Sequence, residues 1–199
     1  MRLGILGGTF DPPHLGHTKP SLFALSEKKL DKIIFVPAFH APYQDKSAST
    51  SFEHRFRMTE IAVQGHSRFE ISGVEGERGG NSYTIDSIRH FKKMDRLSSK
   101  EIFLIVGADS FKRFDEWKNP EALLKESSVC VLRRIGVEID EFDQGYVERV
   151  ELFENELIDI SSRELRERIA KGADLTEYLD DKVIEYIYQN RLYGSGQGL

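Results

Sequence analysis

The chain has 199 residues, 39% hydrophobic and 31% charged, with a net charge of −5. That balance suits one folded domain with its own core and sets disorder aside. It also argues against non-specific nucleic-acid binding, which needs a basic face, while leaving room for a small anionic substrate in a locally positive pocket. The single cysteine, Cys130 in "SVCVL", excludes an internal disulfide and a thiolate-rich zinc site and reads as a core thiol. No apolar run reaches the roughly 18 residues of a membrane span. Met1 leads straight into a strand-like segment without a signal-peptide pattern, so a reducing cytoplasm is the expected compartment.

In chain order, the first predicted strand is "LGIL" (3–6), followed by the loop "GGTFDPPHLGH" (7–17). A helix over 17–29 places Leu22, Phe23 and Leu25 on one side, and "KIIFVP" (32–37) is the second strand. Residues 39–51 read as a mobile loop, and 52–64 as a helix with Phe52, Phe56, Ile61 and Val63 among charges. "FEISGV" (69–74) is a third strand, 75–82 a second mobile loop, and 83–94 a helix with Ile85, Ile88 and Phe91. "IFLIVG" (102–107), "VCVL" (129–132), and the weaker "VELF" (150–153) and "LIDI" (157–160) complete the strands. A helix from Ser162 to Lys171 carries Leu165 and Ile169 and stops at Gly172. A last helix over 180–190 turns Val183, Ile184 and Ile187 inward, before a frayed "GSGQGL".

Most strand candidates are nearly continuous apolar runs, the mark of strands covered on both faces. Their alternation with amphipathic helices predicts an α/β fold, a Rossmann-like doubly wound parallel sheet. The expectation is one domain over 1–199, with C-terminal helices at about 161–190 packed on it. Ligands of such sheets lie beyond the carboxyl ends of the strands, here the ends of "LGIL", "IIFVP" and "IFLIVG".

The first of those ends holds the opening loop. Gly7 and Gly8 keep side chains out of a ligand's path, and Thr9 and Phe10 present backbone N–H groups. Pro12 and Pro13 stiffen the turn, and a helix beginning near residues 14–16 offers free N–H donors to an anion. His14 and His17 project from that first turn to one place. The chain has neither G-x-G-x-x-G nor G-x-x-x-x-G-K-[ST], which disfavours a dehydrogenase-type dinucleotide site and a P-loop. The imidazole pair admits two other readings, a metal pair, for which no nearby residue completes the ligand set, and plain helix capping.

Other chemistry-bearing residues lie farther on. Asp109 in "VGAD" sits at a sheet edge, where it can accept from ribose hydroxyls or cap the following helix. Trp117, the only tryptophan, precedes "NP" and can stack on a pyridine ring or fill a rim. In "ISSRELR", Ser161 or Ser162 caps a helix with Arg166 one turn on, a second phosphate cradle. The charged run "GVEIDEFDQGYVERVE" reads as a solvated face.

"GGTFDPPHLGH" resembles the signature of the nucleotidyltransferases with a T/H-x-G-H motif, and within them bacterial nicotinate-nucleotide adenylyltransferases. "HRFRM" (54–58), "NSYTIDSI" (81–88), "VGADSFKRFDEWKN" (106–119), "VLRRIG" (131–136) and "ISSRELRERI" (160–169) resemble further blocks in that family's order. The resemblance runs from residue 2 to about 194. It implies adenylyl transfer from ATP to nicotinate mononucleotide, giving deamido-NAD and pyrophosphate. It further implies that ATP is bound by Gly8, Thr9, Phe10, His14, His17, Gly107, Asp109, Arg133, Ser161, Ser162 and Arg166. Nicotinate mononucleotide would lie on Gly8, the backbone around Tyr83, Thr84 and Trp117. His17 and His14 would be the catalytic pair, His17 taking the developing charge, with Mg²⁺ carried on the ATP phosphates rather than on protein ligands.

Two departures stand out. "HAPYQDK" places Tyr43 and Gln44 where the family has His and Lys, leaving Lys46 or His40 as substitutes. Arg163 stands where the family has Thr or Ser, removing one hydroxyl. The alternatives are another adenylyltransferase of the superfamily, such as that for phosphopantetheine, or a nucleotide-binding regulator without turnover. Membrane and nucleic-acid partners are not expected, and the oligomeric state stays open.

Overall fold

The computed structural model describes residues 1–42, 48–156 and 158–196. Six strands, β1 (Leu3–Gly8), β2 (Lys32–Pro37), β3 (Phe69–Ile71), β4 (Ile102–Gly107), β5 (Ser128–Leu132) and β6 (Glu151–Phe153), form one sheet. All pairings are parallel and the order is β3-β2-β1-β4-β5-β6. The helices are α1 (Leu15–Glu27), α2 (Phe52–Val63), α3 (Val74–Arg78), α4 (Thr84–Met94), α5 (Ala108–Phe111), α6 (Pro120–Glu126), α7 (Gln144–Val147), α8 (Ser162–Ala170) and α9 (Asp181–Gln189). None is long and apolar enough to cross a membrane.

Successive strand residues point to opposite faces, so continuous apolar runs fill two layers at once. Leu3, Ile5, Ile34, Val36, Ile102, Leu104 and Val106 meet Ile85, Ile88 and Phe91 of α4 on one face. Leu6, Ile33, Phe35, Phe103, Ile105 and Cys130 meet Ala24 and Leu25 of α1 on the other. Gly4 faces that second layer because a Cβ there would come within 2.7 Å of Ile33 and 2.9 Å of Leu30. A third cluster joins Met58 of α2 to Leu165 and Ile169 of α8 and to Val183 and Ile187 of α9.

Several predicted boundaries move. The expected 17–29 helix begins at Leu15, because His14 is its N-cap. The expected strand 69–74 stops at Ile71, and the expected loop 75–82 opens instead with the helix Val74–Arg78. Tertiary contacts explain that turn. Ser87 donates to the buried Glu75 carboxylate at 2.7 Å, and Gly76 lies so close to Phe52 that a Cβ would be 2.4 Å from its ring.

The expected strand 157–160 is not one over 158–160; Ile160 N–H bonds Ile158 O in a turn and Ile160 is buried in the third cluster. Residue 157 lies outside the described residues. The expected loop 39–51 is tied down where described, by Phe39 N–H to Ser82 Oγ at 2.8 Å and a bridge between His40 and Asn81. Tyr43, Gln44 and Lys46 lie outside the described residues. Ser195, in the expected frayed end, is buried and donates to Ile187 O at 3.3 Å, while residues 197–199 are not described.

Candidate active site

The connection order reverses between β1 and β4, and a ligand crevice opens beyond the carboxyl ends of strands at such a point. Two adjoining pockets lie there, with cavity volumes of about 270 Å³ and 360 Å³. Both are lined by Gly7, Gly8, Thr9, Gly107, Asp109 and Ser110. Thr84, Trp117 and Lys118 belong to the first alone. His14, His17, Arg133, Arg134, Ser161, Ser162 and Arg166 belong to the second, as does the Phe10 segment. The residues that the resemblance assigned to the site, from Gly8 to Arg166, thus converge except for Tyr83.

The glycine loop gets its shape from what lies beneath it. Phe10 has a left-handed backbone (φ 51°) and its ring is buried 5.0 Å from His17 and 5.8 Å from Phe35. Gly8 lies flat on that ring, where a Cβ would be 2.9 Å from it. Arg55 of α2, 1% exposed, donates to Thr9 O at 2.8 Å and Ala38 O at 2.7 Å, so a buried guanidinium ties the loop to the end of β2. The Asp11 carboxylate accepts from Ser49 N–H at 2.6 Å and from the Tyr193 hydroxyl at 2.8 Å.

His14 and His17 cap the same helix reciprocally. Gly16 N–H donates to His14 Nδ1 and His14 N–H donates to His17 Nδ1, both at 3.1 Å. Each Nδ1 is an acceptor, so the neutral tautomer carries its proton on Nε2. The rings lie 3.8 Å apart between centroids, and Gly16 makes that possible, since a Cβ would strike His14 Nδ1 at 2.8 Å. Desolvation, then the Arg134 charge, pushes the His17 imidazole down to about 3. His14 is also held well below 6.5, by burial first, then by His17 and Arg134. His14 Nε2 is buried without a hydrogen-bond partner among the described residues, a donor that awaits an acceptor. Capping and ligand binding are therefore compatible: Nδ1 serves the backbone, Nε2 carries the proton, and both residues line the second pocket.

The second cradle closes the far wall. Ser161 Oγ accepts from Glu164 N–H at 3.2 Å and caps α8, while Ser162 donates its hydroxyl to Pro12 O at 2.9 Å. Arg166 donates to Asp11 O at 2.7 Å, so α8 and the glycine loop are stapled together. Arg163 stands at the rim, 71% exposed and paired with Glu167 at 3.4 Å. Arg133 pairs with Glu154 at 2.5 Å. Its neighbour Arg134 reaches Asp109 at 2.9 Å and Ile160 O at 2.6 Å.

On the other side, Asp109 lies in the first turn of α5, whose N-cap is Gly107, so the capping alternative for Asp109 falls away. Trp117 is half-buried, 5.4 Å from Phe114, with one side left to the first pocket. Tyr83 is the N-cap of α4; its ring packs on the core and beneath the Lys118 ammonium, 4.2 Å away. Tyr83 lines neither pocket, but its neighbours Ser82 and Thr84 line the first. Arg134, Arg55, Asp11, Tyr193 and Lys118 are the residues that sequence reasoning passed over. "RR" in "VLRRIG" was the one visible signal for Arg134.

Among the described residues no group of three or more His, Cys, Asp or Glu side chains could hold a metal ion, which leaves the His14–His17 pair without the ligands a metal needs. Glycines, neutral imidazoles, hydroxyls and arginines around a divided cleft are suited to holding phosphates and two nucleosides side by side.

The family model of the cytidylyltransferase-like proteins matches residues 5–168. A probable nicotinate-nucleotide adenylyltransferase of Thermoanaerobacter sp. is 38% identical over 97% of this chain and 94% of its own length. One of Opitutus terrae is 36% identical over 99% and 100%. The chain belongs to the nicotinate-nucleotide adenylyltransferase family within the cytidylyltransferase-like proteins. The fold is shared with the Plasmodium falciparum nicotinic acid mononucleotide adenylyltransferase complexed with NaAD, at a TM-score of 0.76 and 22% identity over 96% of this chain and 97% of that one.

Proposed function

We propose that the protein transfers the adenylyl group of ATP to nicotinate mononucleotide, giving nicotinate adenine dinucleotide and pyrophosphate. The observation that carries this reading is the pair of pockets meeting at Gly8 and Asp109, one walled by Trp117 and Thr84, the other by the imidazole pair and α8. The mononucleotide phosphate attacks the α-phosphorus of ATP in line, a P–O bond forms, and the α–β bridging bond breaks with pyrophosphate leaving. The nucleophile is already an anion, so no general base and no covalent intermediate are required. Catalysis consists of positioning and charge stabilisation.

In this reading His17 and His14 act as neutral Nε2–H donors to the phosphates. Gly8, Thr9 and Phe10 offer backbone N–H groups, and Ser161, Ser162 and Arg166 hold the far phosphates. Asp109 takes ribose hydroxyls beside Gly107, with Arg133 at the nucleotide edge. Trp117 stacks on the pyridine ring, and the N–H groups at the start of α4, by Tyr83 and Thr84, receive the nicotinate carboxylate. The partial positive charge of that helix end favours the acid over the neutral amide. Mg²⁺ enters as the counter-ion of the ATP phosphates.

The test supplies ATP and Mg²⁺ with nicotinate mononucleotide, nicotinamide mononucleotide or phosphopantetheine and measures pyrophosphate. Release with nicotinate mononucleotide, exceeding that with the amide, is expected. Release with phosphopantetheine alone, or nucleotide binding without any release, would overturn the reading.

A further inference from the structure

The ATP reading of the second pocket asks Asp109 to accept ribose hydroxyls, yet its carboxylate is already occupied. Arg134 Nη1 donates to Asp109 Oδ2 at 2.9 Å, while Nη2 donates to Ile160 O at 2.6 Å. The two ends of this fork differ in kind. The backbone carbonyl holds the guanidinium in place without neutralising it, and the carboxylate neutralises it. The side chains of the pair are 28% and 50% exposed, so water screens the pairing and a better partner can displace it.

Arg134 is the arginine whose charge acts on the imidazole pair, and the other arginines of this pocket are placed differently. Arg166 spans from α8 to Asp11 O, Arg133 is held by Glu154, and Arg163 lies at the rim with Glu167. His14 and His17 are neutral donors. A triphosphate arriving beside them therefore finds in Arg134 a formal cation on their side of the cleft, its charge felt by both rings. A guanidinium binds phosphate as readily as carboxylate, and a triphosphate brings more negative charge than one screened carboxylate.

We propose that nucleotide binding takes the Asp109–Arg134 ion pair apart: the ribose hydroxyls engage Asp109, and the released guanidinium, still anchored on Ile160 O, turns onto the phosphate chain beside His14 and His17. This rests on the ATP reading of the second pocket. It makes Arg134 a catalytic residue that is masked until the nucleoside end of the substrate has docked. Inorganic polyphosphate, which lacks a ribose, has to compete with Asp109 for Arg134 unaided.

That difference supplies the test. Inorganic tripolyphosphate, without divalent cation, is titrated calorimetrically into the wild type, Asp109→Asn, Arg134→Gln and the double variant, with adenosine as a second ligand. Asp109→Asn is expected to bind tripolyphosphate about two- to five-fold more tightly than the wild type, the scale of one screened ion pair. The gain should vanish in the double variant, and adenosine should bind Arg134→Gln no less tightly than the wild type. No gain in Asp109→Asn, or a gain that survives in the double variant as a mere charge effect, would sink the proposal. Should Arg134→Gln fail to fold, Arg134→Lys replaces it, alone and in the double variant. Its compact ammonium lacks the planar fork that reaches Asp109 and Ile160 O together, so the gain should shrink by at least half; an undiminished gain overturns the proposal. Wild-type protein that yields no pyrophosphate while these titrations behave as stated would instead refute the function and spare the switch.

Discussion

Histidine at a phosphate site is usually pictured as a cation, but here burial and two backbone N–H bonds hold both rings neutral with the proton on Nε2. A neutral donor in a dry cleft still stabilises developing charge, because its dipole is fixed before the substrate arrives. His17→Ala should lower turnover by about 10²–10³ with the fold kept, the scale for losing one such donor. The same variant carries a stability signature. Below pH 6.5 the unfolded chain gains protons on these histidines that the folded chain refuses, down to about 3 for His17. Their contribution is complete above the unfolded value and is lost as pH falls from there, so melting temperature should drop between pH 7 and 4.5. His17→Ala should show a shallower drop by calorimetry; an identical slope would contradict the neutral-imidazole assignment.

At the scale of an element, α1 shows why the spacing His-x-Gly-His matters. One helical turn brings positions 14 and 17 together, and the residue between must leave room for the His14 ring. Gly16→Ala places a Cβ 2.8 Å from His14 Nδ1 and pushes that ring off its cap. Turnover should fall by about ten- to a hundred-fold at unchanged secondary structure by circular dichroism, the scale for displacing a positioned group. Such element-level facts were legible: the three-residue spacing, the start of α8 at Ser162 and the alternation of strands and helices all follow from local pattern. The α3 turn was not, since Glu75 and Gly76 acquire their meaning only from Ser87 and Phe52.

Over the whole molecule, the C-terminal helices complete the site from behind. Met58 of α2 and Ile187 of α9 share one buried cluster, and Tyr193 closes on Asp11 from 182 residues away. We expect the sheet and these helices to unfold as one unit. Ile187→Ala, at a position with no exposure, should then cost about 2–5 kcal/mol in a single urea transition. A second transition, or a loss confined to the C-terminal helices by hydrogen exchange, would show them to be a separate unit.

By itself the sequence determined the parallel sheet, the crevice at the ends of β1 and β4, and the glycines, imidazole pair and α8 serines that line it. Those features depend on periods of two and 3.6 and on glycine, proline and capping residues, which act over a few neighbours. Tertiary structure alone decided the charge state of the imidazoles, the parking of Arg134 on Asp109 and the buried ties of Arg55, Asp11 and Tyr193. Each of these depends on desolvation or on a partner dozens of residues distant, and neither is written in any local stretch of chain.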